Sequence, residues 1–261
     1  SGTEYLKSMP MNNELREQLG KVLLDTDAVF SIVLKESKKA ILMMSVKNET
    51  STELPSTTQI IEKGVVQPWL YEFEGIVSPT ARVSAGATGM GVNVTSPEPD
   101  AVVRKMPVLI RVGDKIYPSM LLENVRLLNK SKRIKVIAKQ HGIDEVLVSK
   151  KAGIPVNHNA EMYINYAEPS MYENISATDI LTDNFDKEKI KGRIIVVGLD
   201  AAGLSVLKYT PHGLTTDQNI SAQALDTFLT GKYLLRTPQA DTYEIVFMAF
   251  LLLLLILVLP R

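Results

Sequence analysis

A short glycine-containing segment, "GLDAAGL" (residues 198–204), follows four consecutive aliphatic residues. Gly198 and Gly203 flank Asp200, and a turn of this kind at the carboxyl end of a central strand is where open α/β sheets bind ligands. The Gly-Lys-Ser/Thr ending of a phosphate loop and the three glycines of a dinucleotide fingerprint are both missing, and an aspartate would repel a phosphate. Two interpretations therefore remain: a ligand-binding loop that includes Gly198, Asp200 and Gly203, or a tight turn.

Asp100 and Arg104 form a second candidate, because their charges are opposite and four residues apart. They could form the polar end of a ligand pocket or a local ion pair, and we favour the ion pair. Together with residues 198–204 they complete the set of candidate ligand contacts.

Catalytic and metal-binding patterns are missing. The three histidines, His141, His158 and His212, include no pair with the spacing of a helical metal site. Ser205 and Ser221 lack the sequence context of a nucleophile elbow. We therefore predict no catalytic residue, no metal and no cofactor.

The elements that must position these residues alternate between strands and helices. Residues 194–197 predict a strand buried on both faces, followed by a turn at Gly198. "AVFSIVL" (28–34) and "AILMMSV" (40–46) predict a hairpin or two neighbouring strands, and "MPVLIRV", Gly113-Asp114 and "KIY" predict strand, turn and strand. This alternation of strands and helices favours an α/β domain in which a mixed sheet is layered with helices.

Four helices are predicted from apolar periodicity and capping residues. One begins at Asn12 or Asn13, one follows Pro118-Ser119 with Leu121, Leu122, Val125 and Leu128 toward the core, one covers 176–181, and one covers 221–234 and closes at Gly231.

The end of the chain is apolar: residues 245–259 contain no charged, polar or glycine residue. Fifteen helical residues span only about 22 Å, less than the ~30 Å of a bilayer core. A buried core helix normally keeps a polar stripe, and this run has none. We predict a transmembrane helix in 243–261, the first of a set, after one domain in 1–242.

Charge and cysteine content exclude several classes. The 29 basic and 29 acidic residues cancel, which argues against nucleic-acid binding, and the absence of cysteine excludes disulfides and thiol catalysis.

Several segments together resemble one known family. They are Gly91-Val92-Asn93, then Asp100 with Val102-Val103-Arg104, then Tyr117-Pro118-Ser119, followed by "IPVNHNAEMYINY", "ISATDIL", "KIKGRIIVVGLDAAGL", "YTP" and "ISAQALDTFLTGKYLLRTP". In this order and spacing they resemble the type-two CHASE domain, a sensory module associated with cyclases and histidine kinases. Asp200 departs from the small hydroxyl residue usual in the family.

The resemblance implies an extracytoplasmic sensor, periplasmic or extracellular, in the inner membrane of a bacterium. Its expected partners are the membrane, an unknown small-molecule or physical stimulus, and a second copy in a homodimer. Its expected output is a cytoplasmic nucleotide cyclase, diguanylate cyclase or kinase, and the first portion of the family domain is expected to be missing. The alternative is a membrane-anchored Rossmann-like enzyme that uses residues 198–204, and a third possibility is an assembly module without a ligand.

Overall fold

The computed structural model describes residues 25–51, 54–55, 58–96, 98–150, 152–167, 174–201, 205–235 and 240–258. The helix predicted from Asn12 or Asn13 lies outside these ranges. The helices of the described residues are α1 (Thr26–Ser37), α2 (Ala81–Ser84), α3 (Met120–Leu128), α4 (Ala177–Leu181), α5 (Lys187–Ile190), α6 (Asp217–Thr230) and α7 (Ala240–Val258), with a short 3-10 helix at Gln67–Trp69.

The fold is mixed α/β, as predicted, but the strands form several small sheets and not one. They are β1 (Ile41–Lys47), β2 (Gln59–Lys63), β3 (Tyr71–Phe73), β4 (Gly75–Val77), β5 (Gly89–Val92), β6 (Lys105–Pro107), β7 (Leu109–Val112), β8 (Lys115–Pro118), β9 (Arg133–Lys139), β10 (Gly142–Leu147), β11 (Gly153–Ile154), β12 (Glu161–Tyr163), β13 (Leu207–Thr210) and β14 (Gly213–Thr216). Three sheets have the orders β4-β1-β5, β11-β10-β9-β2 and β3-β7-β8, and the pairs β12-β6 and β13-β14 are separate.

Each of the three larger sheets contains both parallel and antiparallel pairs. β1 is parallel to β5 and antiparallel to β4, β9 is parallel to β2 and antiparallel to β10, and β7 is parallel to β3 and antiparallel to β8. Two apolar cores result. The larger is built from β6, β9, β10, β12, α3 and α6, and the smaller contains Met44, Val92, Ile110, Val112 and Tyr117.

Helix α3 confirms the prediction made from "YPS". Ser119 caps it by accepting a hydrogen bond from the Leu122 amide at 3.2 Å, and Leu121, Leu122 and Val125 are buried. Leu128 is half exposed, so its predicted core position is wrong. It is the last residue of the helix, beyond the turn that packs on the sheet.

Helix α6 also has its predicted end. Gly231 takes a left-handed φ of 67°, a conformation that glycine adopts without strain, and its amide donates to the Phe228 carbonyl. Ile220, Ala224 and Leu225 are buried in the larger core.

The predicted strand at residues 28–34 is wrong, whereas the strand predicted at 40–46 is confirmed as β1. Residues 26–37 form α1, because Asp25 caps the helix by accepting from the Ala28 amide at 3.2 Å and Lys38 ends it at φ 52°. Apolar β-branched residues lower helix propensity by only ~0.5 kcal/mol each, which a good cap largely offsets. The predicted hairpin is therefore a helix followed by a strand.

The predicted buried strand at residues 194–197 is also wrong. These residues belong to no strand, and all four side chains are exposed, Val197 to 90%. A strand needs a neighbour to pair with. No strand of the described residues pairs with residues 194–197.

Helix α7 covers most of the apolar run, and the described side chains from Ile245 onward are exposed. The transmembrane helix predicted in 243–261 is not found: among the helices of the described residues, none combines the length and the apolar character needed to cross a bilayer.

Candidate functional site

The loop between β5 and β6 carries the predicted pair Asp100 and Arg104. The guanidinium donates to both carboxylate oxygens, Nη1 to Oδ1 at 2.9 Å and Nη2 to Oδ2 at 2.7 Å. Asp100 Oδ1 also accepts from the Val102 amide at 3.1 Å, and Ala101 between them has φ 57°. The carboxylate thus closes a tight turn, and the favoured ion pair is present.

The pKa shifts of Asp100 and Arg104 agree with this ion pair. The hydrogen bond from Arg104, with that from the Val102 amide, lowers the pKa of Asp100 to about 2, and the same contact raises the pKa of Arg104. Both side chains remain about half exposed. Because the two charged groups satisfy each other, their main effect is on the shape of the loop.

The loop is attached to the β13–β14 hairpin. The Val103 amide donates to the Tyr209 carbonyl at 2.8 Å, and Val102 forms a parallel bridge with Tyr209. Lys208, the neighbour of Tyr209, donates from Nζ to Thr95 Oγ1 at 3.1 Å. The hairpin and the loop are therefore joined by both backbone and side-chain contacts.

The same loop also contacts α6. Ser221 Oγ lies 3.0 Å from Asn93 Oδ1 and also donates to the Asp217 carbonyl, while Lys208 Nζ lies 2.8 Å from Asp217 Oδ1. Residues from three family-like segments, around Asn93, Tyr209 and Ser221, thus meet at the start of α6.

A buried charge cluster behind the loop escaped the sequence analysis. Glu161, which is 1% exposed, accepts from Lys105 Nζ at 3.2 Å, Asn157 Nδ2 at 2.7 Å and the Tyr71 hydroxyl at 3.1 Å. Lys105 Nζ also lies 3.2 Å from Glu98 Oε1. No short-range pattern links these residues, since Lys105 and Glu161 are brought together by the antiparallel β12–β6 pair.

The cluster perturbs the acidities of its members. Burial alone would raise the pKa of Glu161, but the hydrogen bond from Asn157 and the charge and hydrogen bond of Lys105 outweigh burial, and the pKa is lowered. For Lys105, burial acts to lower the pKa, yet the neighbouring Glu161 and Glu98 raise it. The ion pair is therefore kept charged in the interior.

A second buried pair lies under β5. Arg126 Nε donates to Glu123 Oε2 at 2.7 Å, Arg126 Nη1 donates to the Ser131 carbonyl at 2.7 Å, and Thr58 donates to the other oxygen of Glu123. A Cβ at Gly89 would lie 2.9 Å from Glu123 Oε2. The small residues of β5 thus allow α3 and its charges to pack against the strand.

The other predicted ligand residues do not join this site. Gly198 and Asp200 lie in an exposed segment without secondary structure, and Gly203 lies outside the described residues. The segment is attached to α6 by Gln218 Nε2, which donates to the Leu199 carbonyl at 3.0 Å. In the described part of the chain, no hydrogen bond or ion pair connects Gly198 or Asp200 to Asp100 or Arg104, so the structure does not assemble these residues into one pocket.

Comparison with known proteins identifies the family. A family model described as the CHASE2 domain matches residues 6–258. The chain belongs to the CHASE2 domain family. The CHASE2 match covers nearly the whole chain and confirms the resemblance seen in the sequence. No curated protein and no solved structure matches the chain.

CHASE2 domains are extracellular sensory domains of signalling receptors and not catalytic domains. The Rossmann-like alternative required residues 198–204 at the carboxyl end of a buried strand, and that strand is not formed. The geometry of the CHASE2 fold instead explains several motif residues by packing. For example, a Cβ at Gly91 would lie 2.7 Å from both N and Cα of Met120 at the start of α3.

Proposed function

We propose that this CHASE2 domain is the extracytoplasmic input module of a bacterial membrane receptor. A stimulus changes the position of α6 relative to the β5–β6 loop, and membrane helices of the receptor pass the change to a cytoplasmic cyclase, diguanylate cyclase or kinase. The observation that carries the proposal is the attachment of α6 to the core immediately before the chain enters α7.

Two buried side chains make this attachment. Thr227 Oγ1 accepts from the Asn165 amide at 3.0 Å, and Gln223 Oε1 accepts from the Ala167 amide at 3.0 Å. With the Ser221–Asn93 contact, α6 is held by polar contacts along one side. Such directional contacts favour discrete helix positions, as a switch requires.

The apolar side chains of α7 support membrane anchoring. Those described from Ile245 onward are exposed, and large exposed apolar surfaces mark interaction or membrane sites. An anchored α7 places the module at the bilayer, and a receptor homodimer would bring two such helices together. A stimulus acts only if it binds the two α6 positions with different affinity.

The location is testable because the chain has no cysteine. Lys187→Cys places one thiol on α5 at an exposed position. We expect a membrane-impermeant maleimide to label it in intact cells that express the complete receptor, whereas labelling that requires permeabilised cells would contradict the proposal. The unsubstituted chain is the background control.

The signalling step has its own test. Asn93→Cys together with Ser221→Cys should form a disulfide on oxidation that fixes α6 to the loop. We expect oxidation to make the receptor's output independent of stimulus, and reduction to restore the response. Each single substitution is the control, and an unchanged response in the crosslinked protein would refute movement of α6.

A further inference from the structure

A groove lies where β2 ends. It has a volume of about 390 Å³ and is lined by Glu62, residues 64–68 and Arg111. Sites for small ligands usually measure about 300–1,000 Å³, so the groove has the size for a small metabolite.

One wall of the groove is fixed by a glycine. Gly64 has φ 86°, and a Cβ there would collide with the Ala138 carbonyl oxygen. The turn after β2 is therefore held tightly against β9, and it leads into the 3-10 helix that begins at Gln67. A wall fixed in this way makes the groove a preformed feature.

Arg111 lacks one acceptor. Its Nη2 lies 2.5 Å from Glu72 Oε2 and its Nη1 donates to the Gly113 carbonyl at 3.4 Å, while Nε is buried and has no partner among the described residues. An unsatisfied buried donor costs about 1–3 kcal/mol. Glu72 is 57% exposed, so its pairing with Arg111 is readily exchanged.

Glu62 supplies the opposite charge. It is exposed, and its carboxylate has no ion-pair or hydrogen-bond partner within the described part of the chain. The lining of the groove also includes aliphatic surface, from Val65, which is 71% exposed, and from Pro68.

We propose that this groove binds an aliphatic α-amino acid as a zwitterion. Its carboxylate binds the Nε and Nη2 edge of Arg111 and displaces Glu72, its ammonium group binds Glu62, and its side chain covers Val65 and Pro68. Arginine is suited to this contact because its planar fork holds a carboxylate with two hydrogen bonds. The inference deepens the proposed function, since it names the stimulus class and therefore rests on that function.

The position of Arg111 connects the groove to the interior. Its chain neighbours Ile110 and Val112 are buried in the smaller core, and Glu72 lies opposite Arg111 on β3. Exchange of Glu72 for a ligand carboxylate thus changes a contact between two strands of one sheet.

The test is calorimetric titration of the full 261-residue chain in mild detergent with L-leucine as the probe. We expect L-leucine to bind, and isocaproate and isoamylamine, which lack the ammonium and the carboxylate respectively, to bind at least tenfold more weakly. Glu62→Gln and Arg111→Lys should each weaken L-leucine at least tenfold, whereas Glu72→Gln should bind it at least as tightly as the parent.

Matched controls lie away from the groove. Glu36→Gln on α1 and Arg133→Lys on β9 replace exposed residues and should bind L-leucine normally. No binding of L-leucine, or binding unchanged by Glu62→Gln, would overturn the proposal. Glu62 is exposed, so its substitution leaves the fold intact even if Arg111→Lys does not. The Asn93–Ser221 crosslink does not involve the groove and thus tests the receptor function separately.

Discussion

Replacement of Lys105 by methionine removes the cation from the buried cluster that contains Glu161 and Glu98. Lys105 Nζ lies 3.2 Å from each carboxylate, and the Glu161 and Glu98 side chains are only 1% and 14% exposed. Removing one partner of a buried ion pair typically costs 3–5 kcal/mol. Glu161 keeps its hydrogen bonds from Tyr71 and Asn157, so we expect the lower end, about 3 kcal/mol, at pH 7.

The reciprocal change should cost less. Glu161→Gln leaves Lys105 paired with Glu98 and keeps an acceptor for Asn157, so we expect about 1 kcal/mol. Lys105→Met should therefore cost more unfolding free energy than Glu161→Gln. The lysine has two carboxylate partners, whereas Glu161 has one cation within ion-pair distance among the described residues.

The loss of unfolding free energy in Lys105→Met should also depend on pH. The pKa of Glu161 is lowered in the folded state, so its contribution is fully present above the unfolded pKa of about 4.3 and is lost as the pH falls through the folded pKa. In Lys105→Met, the lysine no longer offsets the effect of burial on Glu161, so the pKa of Glu161 is higher than in the parent and its carboxylate is protonated more readily. The difference between parent and variant should therefore shrink as the pH falls from 7 toward about 4.5.

Urea unfolding followed by tryptophan fluorescence measures these differences. The chain has one tryptophan, Trp69, which packs against the larger core. With a urea dependence of about 3 kcal/mol per M, the Lys105→Met midpoint should fall by ~1 M. Lys139→Met, which removes an exposed ion pair with Asp144, is the control and should leave the midpoint unchanged. A cost below about 1 kcal/mol, or one independent of pH, would refute the reasoning.

Three further outcomes are expected. Ser119→Ala removes the cap of α3 and should lower the unfolding free energy by ~1 kcal/mol, measured with urea. Gly91→Ala forces a Cβ to within 2.7 Å of the Met120 backbone and should cost at least about 2 kcal/mol in the same assay, more than Ser119→Ala. Burial, assisted by the nearby Asp114, raises the pKa of Tyr117 to about 12. Its contribution is therefore complete below about pH 10 and is lost as the pH rises. Burial also raises the pKa of Tyr71, Tyr166 and Tyr233, so ultraviolet absorbance should show several late-titrating tyrosines, and Tyr117→Phe should have one fewer than the parent.

Local signals in the sequence predicted the elements whose ends carry capping residues. Ser119 for α3, Ser176 for α4 and Gly231 for α6 all act within one helical turn, so a short stretch of sequence contains the whole cause. The turn at Gly113 was predictable for the same reason, because its φ of 61° needs no distant partner.

Elements that depend on a distant partner were not predictable. Residues 194–197 have the composition of a buried strand, but a strand forms only where a neighbouring strand pairs with it, and the composition of the segment does not contain that information. Residues 28–34 were assigned by their β-branched content, whereas Asp25 and Lys38 determine a helix. The candidate site was predictable only in part. The Asp100–Arg104 pair was predictable because the two residues are four positions apart. The pair of Lys105 and Glu161 was not, because these residues are 56 positions apart and no local pattern connects them.

The residues that carry the CHASE2 resemblance stabilise the fold, and this affects where a charged ligand can bind. A ligand carboxylate at Arg104 would compete with Asp100, which the same short loop keeps in place and which already accepts two hydrogen bonds from the guanidinium. At Arg111 the competitor is Glu72, which lies on another strand and accepts one hydrogen bond from the guanidinium, and one donor there has no acceptor among the described residues. A charged ligand therefore displaces less at Arg111 than at Arg104. This comparison supports the proposal that a charged ligand binds in the groove, outside the motif that identifies the family.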